Sequence, residues 1–207
     1  MRPRFFIIPM SIRLYCPACH YPQNTCLCAF ITPVQSRIKI TILQHPSEVK
    51  AAKNTARLVQ LCLPDTKIRI GENTDDFKAV QQGIAQDLRA QFRIAVLYPN
   101  QNSIDLHAFK SLQPKSNSQP LHLIFLDGTW RKAYKIWQLN PWLHALTSIT
   151  INQASSQYHI RKAPKEGCLA TLEAIDICLK ELDDCTSSAL LDCFLAMQQT
   201  FLKHRPA

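Results

Sequence analysis

The chain has 207 residues, 46% of them apolar and 19% charged. That composition suits one domain of ordinary size, and it argues against a disordered chain and against any need for disulfide staples to hold the core. The net charge of +9 is uneven: residues 1–47 carry five Lys/Arg and no acid, residues 128–165 carry six and no acid, and residues 166–207 carry three bases against seven acids. Two acid-free basic tracts favour a nucleic-acid partner over a merely solvated basic face, if the fold joins them.

Residues 1–36 are rich in Pro and Cys and lack helical period. Phe5-Phe6-Ile7-Ile8 follows two arginines but is too short for a secretory signal, and Pro9 interrupts it. No run is long enough to span a bilayer, so no membrane association and a reducing cytoplasmic location are expected. In that setting Cys16-x2-Cys19-x6-Cys26-x-Cys28 reads as a metal site. Four thiolates this close can surround one tetrahedral Zn²⁺ and leave no open position for catalysis. Four free thiols and an iron–sulfur cluster are the other readings, and zinc is preferred. The tight second pair, with one residue between thiols, makes the spacing less specific. The remaining cysteines are scattered in apolar helical context and read as small hydrophobes.

From Arg37 the pattern changes. Ile38, Ile40 and Ile42 alternate with Lys39 and Thr41 as a strand does. His45-Pro46-Ser47-Glu48 then predicts a helix with Ser47 as N-cap, running to about Leu63 before Pro64. Ile68 and Ile70 suggest a short strand, Phe77 to Gln91 a helix weakened by Gly83, and Arg93 to Tyr98 a strand stopped by Pro99. Residues 111–120 are a Ser/Asn/Gln/Pro loop. Leu121 to Leu126 is nearly all apolar, as for a strand buried on both faces. Thr129 to Leu139 reads as a helix and Thr147 to Ile151 as a strand. A polar loop covers 152–168, and two helices close the chain near 170–182 and 187–204. The alternation predicts an α/β domain over residues 37–207 with a mainly parallel sheet, preceded by the small Cys-rich segment. There is no repeat, heptad, P-loop or GxGxxG. In such sheets ligands bind at the carboxyl ends of strands, which brings loops 98–103, 127–131 and 152–168 into view. No feature calls for an obligate protein partner.

Asp127-Gly128-Thr129-Trp130 carries the most chemistry. Asp127, at the end of a buried strand, can act as a general base or hold a cationic group. Gly128 permits close approach of a ligand to the backbone, Thr129 offers a hydroxyl, and Trp130 a flat face for a sulfonium, an adenine or a base. A helix N-cap followed by a core Trp accounts for the same residues equally well.

Leu126-Asp127-Gly128-Thr129-Trp130-x2-Ala133 resembles the signature of the DTW-domain family. Further blocks resemble it in the family's order: the Cys cluster, His45-Pro46-x-Glu48 with Asn54-Thr55-Ala56-Arg57-Leu58, Leu97-Tyr98-Pro99, Ser156-x-Tyr158-x-Ile160-Arg161-Lys162, and Leu169-Ala170-Thr171-Leu172-Glu173-Ala174. Together they cover about residues 13–180. Lys50 and Lys53 depart from the pattern, standing where Arg is common. The resemblance implies a SPOUT-like fold with a knotted C-terminal half. It also implies a tRNA-uridine aminocarboxypropyltransferase that moves the 3-amino-3-carboxypropyl arm of S-adenosylmethionine onto N3 of uridine, leaving 5′-methylthioadenosine. The implied catalytic group is Asp127 with Thr129 and Trp130. The implied cofactor pocket uses Leu97, Pro99, Leu126, Gly128, Trp130, Ser156, Tyr158, Arg161, Leu169, Thr171 and Glu173. Arg161 fits either the cofactor carboxylate or an RNA phosphate, and Glu173 either adenosine or the helix start. Lys50, Lys53 and Arg57, read as one helical face, join Arg131, Lys132, Lys135, Lys162 and Lys165 as candidates for tRNA phosphates. His45, His122 and His159 lack metal spacing. Two rivals are a SPOUT-type methyltransferase and a non-catalytic zinc-containing RNA-binding module.

Overall fold

The computed structural model describes residues 14–51, 53–112, 119–152 and 169–203. Among these residues six strands form one sheet: β1 (Lys39–Gln44), β2 (Lys67–Ile70), β3 (Arg93–Leu97), β4 (Ile104–Asp105), β5 (Leu121–Asp127) and β6 (Thr147–Thr150). They lie in the order β2-β1-β5-β3-β6-β4, and every pairing is parallel. The helices are α1 (Thr55–Cys62), α2 (Lys78–Arg89), α3 (Leu106–Ser111), α4 (Trp130–Leu139), α5 (Thr171–Leu182) and α6 (Ala189–Lys203).

Side chains of a strand alternate between faces, and the two faces here meet two cores. Ile40, Ile42, Leu123 and Phe125 pack with α1, α3, α5 and α6. Leu43, Ile124 and Val96 pack with Val80 and Ile84 of α2 and Ala133, Ile136 and Trp137 of α4. The apolar run of β5 is thus explained by helices on both sides of a central strand. Phe125, 2% exposed, would cost about 3–5 kcal/mol on truncation to Ala. The Cys-rich segment contributes Cys19, Tyr21, Leu27 and Val34 to the first core.

The helix expected from Ser47 does not form as drawn. Pro46–Glu48 is a single 3-10 turn, begun by the His45 ring, which accepts from the Ser47 amide. The α-helix starts at Thr55, where the Asn54 carboxamide accepts the Arg57 amide. Lys50 and Lys53 therefore precede the helix rather than sharing a face with Arg57. The chain also makes β4 and α3, too short to show periodicity, held by burial of Leu106 and Phe109. The knotted path expected for the C-terminal half depends on residues 153–168, outside the described residues.

Where the strands begin, a polar cluster is buried on the α2 side. Lys39 donates to both oxygens of Asp87 at 2.7 and 2.6 Å. The His122 Nδ1–H donates to Asp87 at 2.8 Å, and its Nε2 accepts from Thr41 at 2.8 Å. Burial, with Lys39 nearby, lowers the His122 imidazole from 6.5 to about 4, so the ring is neutral and its two roles are fixed.

Candidate functional site

The carboxyl ends of β1 and β5 lie in register, Gln44 opposite Asp127. Both side chains point to the face covered by α1 and α5, and the parallel connections bring the first turns of those helices to the same edge. Asp127 is 7% exposed. Its Oδ2 accepts from Gln44 Nε2 at 2.7 Å and its Oδ1 from the Thr171 hydroxyl at 2.6 Å. The two donors hold the carboxylate in place beside the N-terminus of α5. Glu173 closes that helix start by accepting the Ala170 amide at 2.7 Å. Gln44 Nε2 also donates to Asn54 Oδ1 at 3.3 Å, and Asn54 Nδ2 donates to the Glu48 carbonyl at 3.0 Å.

The rest of the motif turns the corner into α4. The Thr129 carbonyl accepts the amides of Lys132 and Ala133, each at 2.8 Å, while its side chain caps nothing. Trp130 is 45% exposed and Tyr134, one turn on, 55% exposed. Gly128 is hemmed in by its own helix: a Cβ there would lie 2.9 Å from Lys132 Cβ and 3.6 Å from His45 Cβ. The neighbouring His45 ring pairs with Glu72 at 2.5 Å. Lys135, 2.6 Å from Glu72, is the chief cause holding that carboxyl below its usual range.

Other expected residues fall in different places. Leu97 is half-buried on the Asp127 face and packs against the first core with Leu169, and Pro99 is exposed just beyond β3. Leu126 packs into the opposite core. Ser156, Tyr158, Arg161, Lys162 and Lys165 lie outside the described residues. Of the basic set, Lys50, Lys53 and Arg131 are exposed. Lys132 is ion-paired with Glu48 at 2.7 Å and Lys135 with Glu72. Arg57 is engaged by the carbonyls of His20 and Val49 at 3.1 and 3.2 Å and lies over the Tyr21 ring. Sequence reasoning missed Gln44, an amide ending an apolar strand; its opposition to Asp127 becomes visible only with the register.

The four cysteines of the N-terminal segment converge. Their Sγ atoms lie within 4.8 Å of one another, with Cys16–Cys28 at 3.6 Å and Cys19–Cys26 at 3.7 Å. A tetrahedral zinc bonded at about 2.3 Å spaces its sulfurs about 3.8 Å apart, so the set fits that ion. The Cys19 and Ala18 amides lower the Cys16 thiol to about 6, while the neighbouring sulfurs, Cys16 first, raise Cys28 to about 12. Four thiolates at this distance need a cation between them.

A DTW domain family model matches residues 13–202, and the chain belongs to the DTW-domain family. It is 30% identical over 196 residues to tRNA-uridine aminocarboxypropyltransferase 2 of Mus musculus, covering 91% of this chain and 64% of that protein. It is 31% identical over 178 residues to the protein of the same name from Drosophila melanogaster, covering 84% and 69%. To tRNA-uridine aminocarboxypropyltransferase A of Arabidopsis thaliana it is 25% identical over 193 residues, covering 83% and 73%. This chain thus spans less than two thirds of the mouse relative's length. No solved structure matches it. Among the described residues no helix is long and apolar enough to cross a membrane.

Proposed function

We propose that the protein transfers the 3-amino-3-carboxypropyl group of S-adenosylmethionine to N3 of a uridine in tRNA and releases 5′-methylthioadenosine. Membership of the DTW family and the names of the relatives support the reaction class. The observation that carries it to this site is a carboxylate fixed between β1, β5 and α5, beside a half-exposed tryptophan at the carboxyl edge of a parallel sheet. That edge is where such sheets bind ligands.

The reaction is a displacement. The N3–C bond forms, the bond from that carbon to the sulfonium sulfur breaks, and sulfur leaves as a neutral thioether. Uridine N3–H is only weakly acidic, so its proton must have a destination. Asp127 is the proposed acceptor. Its amide and hydroxyl donors hold the carboxylate in place to take that proton. Alignment then supplies most of the rate. Trp130 offers a face for the sulfonium or the base, Leu97 and Pro99 the wall around the methylthio end, and Thr171 a hydroxyl fixed on Asp127. Thr129, Gly128, Leu126, Leu169 and Glu173 shape the corner and the helix start. Ser156, Tyr158 and Arg161 complete the proposed cofactor set from the adjoining loop.

On the RNA side, Lys50, Lys53 and Arg131 are the proposed phosphate contacts, and Lys162 and Lys165 extend the set. Lys132 and Lys135 would first have to exchange Glu48 and Glu72 for phosphate, and Arg57 serves the fold. Cys16, Cys19, Cys26 and Cys28 are proposed to hold a structural Zn²⁺. A SPOUT-like knot through residues 153–168 and a cytoplasmic location belong to the same reading.

The test is to incubate the protein with unmodified tRNA and cofactor labelled separately in the methyl group and in the aminocarboxypropyl arm. Nucleosides from the digested RNA are then weighed. The arm should reach uridine and the methyl label should remain in methylthioadenosine. Methyl transfer with S-adenosylhomocysteine would replace this reading by a methyltransferase. Salt-sensitive RNA binding with no cofactor affinity would replace it by a binding module.

A further inference from the structure

The Cys-rich knuckle is joined to the Asp127 carboxylate through a short series of buried contacts. Tyr21, between the two cysteine pairs and 1% exposed, donates its hydroxyl to the Asn54 carbonyl at 2.9 Å. Arg57 ties the knuckle to the segment after β1, donating to His20 on one side and Val49 on the other. Asn54 is thus gripped by its backbone from the knuckle while its side chain faces inward. Its Oδ1 accepts from Gln44, whose amide also donates to Asp127. A carboxylate only accepts, so the Gln44 –NH2 must face Asp127, and Asn54 must present its oxygen to Gln44. Every orientation in the series is therefore determined. Gln44 and Asn54 are 3% and 7% exposed, and a group here that loses its partner has no water to replace it.

We infer that Gln44 and Asn54 are positioning residues for the Asp127 carboxylate, and that the knuckle holds them in place through Tyr21 and Arg57. This rests on the proposed role of Asp127 as the proton acceptor. It assigns the metal-fitting cysteines a task beyond stabilising their own segment: they fix the start of α1, and through it the aim of a side chain on the next strand but one from the sheet edge. The knuckle does not touch substrate in this scheme.

Two substitutions separate positioning from simple stability. Gln44→Glu keeps the shape but sets a second acid against Asp127, and a like charge raises the pH at which the pair ionises. The acid limb of the kcat profile should move upward by about one pH unit or more. Tyr21→Phe removes one hydroxyl and leaves the cysteines intact. It should lower kcat about fivefold with little change in cofactor KM and unchanged bound metal. A readout independent of turnover is amide hydrogen exchange. In Tyr21→Phe the Arg57 amide, which donates to Asn54 Oδ1, should exchange about fivefold faster while β5 amides stay as in the parent protein. An unshifted acid limb in an active Gln44→Glu protein overturns the positioning role of Gln44. Unchanged exchange at Arg57 in Tyr21→Phe overturns the link to the knuckle. If the parent protein itself transfers nothing to tRNA, the catalytic reading fails, and the exchange result alone decides whether the knuckle clamps Asn54.

Discussion

The two ends of the sheet each bury a carboxylate, and they treat it differently. Asp87, where the strands begin, is 8% exposed and Asp127, where β5 ends, 7%. Asp87 is enclosed by a lysine that donates to both oxygens and by a neutral imidazole. Asp127 receives an amide and a hydroxyl. A charge answered by an opposite charge is a structural fixture: its field is cancelled close by. The amide and hydroxyl on Asp127 come from β1 and from the first turn of α5, so its place depends on strand register and on that helix start. Equal burial is thus reached with different partners: a lysine and an imidazole at one end, Gln44 and Thr171 among those at the other.

The sharpest way to break this contrast is to neutralise each carboxylate. Asp127→Asn should lower transfer to tRNA by about 10²–10⁴-fold with the fold retained, measured by nucleoside mass after single-turnover incubation. Near-normal product would remove Asp127 from the chemistry. Asp87→Ala strands Lys39 and His122 and should cost about 3–5 kcal/mol, read from the urea midpoint, with turnover of the folded fraction unchanged. Stability lost at Asp127 and activity lost at Asp87 would invert the assignment.

The pH dependence of stability sharpens the same contrast. His122 takes up a proton near pH 4 in the folded chain and near 6.5 when unfolded. Between those values the unfolded state binds more protons, so this contribution is complete above pH 6.5 and is lost as pH falls towards 4. The loss amounts to about 3 kcal/mol. His122→Gln should flatten that part of the curve relative to the parent chain, and parallel curves would mean that the ring is not held neutral. The smallest effects belong to the outer face of the Asp127 end. Trp130→Ala should weaken tRNA binding by about 1–3 kcal/mol if a base stacks there. Arg131→Ala should reduce the slope of log affinity against log salt by about one contact, and Lys135→Ala, already paired with Glu72, by less.

Much of this was readable from the residues. Alternation at Ile38, Ile40 and Ile42 and the apolar run into Asp127 gave β1 and β5, because burial on one or two faces writes itself directly into side-chain type. The cysteine spacing anticipated the converging sulfurs for a similar reason: chelation is local. The start of α1 was not readable, since Ser47 and Asn54 are both good caps and the choice is made by partners outside the helix, Gln44 among them. β4 and α3 are too short to carry a period. The pairing of Gln44 with Asp127 joins residues far apart in the chain and depends on strand register, to which composition and spacing are blind.

Gly128 carries a last implication. Its bare backbone is occupied by its own helix, since even a methyl group would press on Lys132. The smallest letter of the motif thus lets α4 bend away the moment β5 stops. Alanine in its place would have to prise that bend open, and the acid and the indole, three positions apart, would drift from one another as the elbow widened.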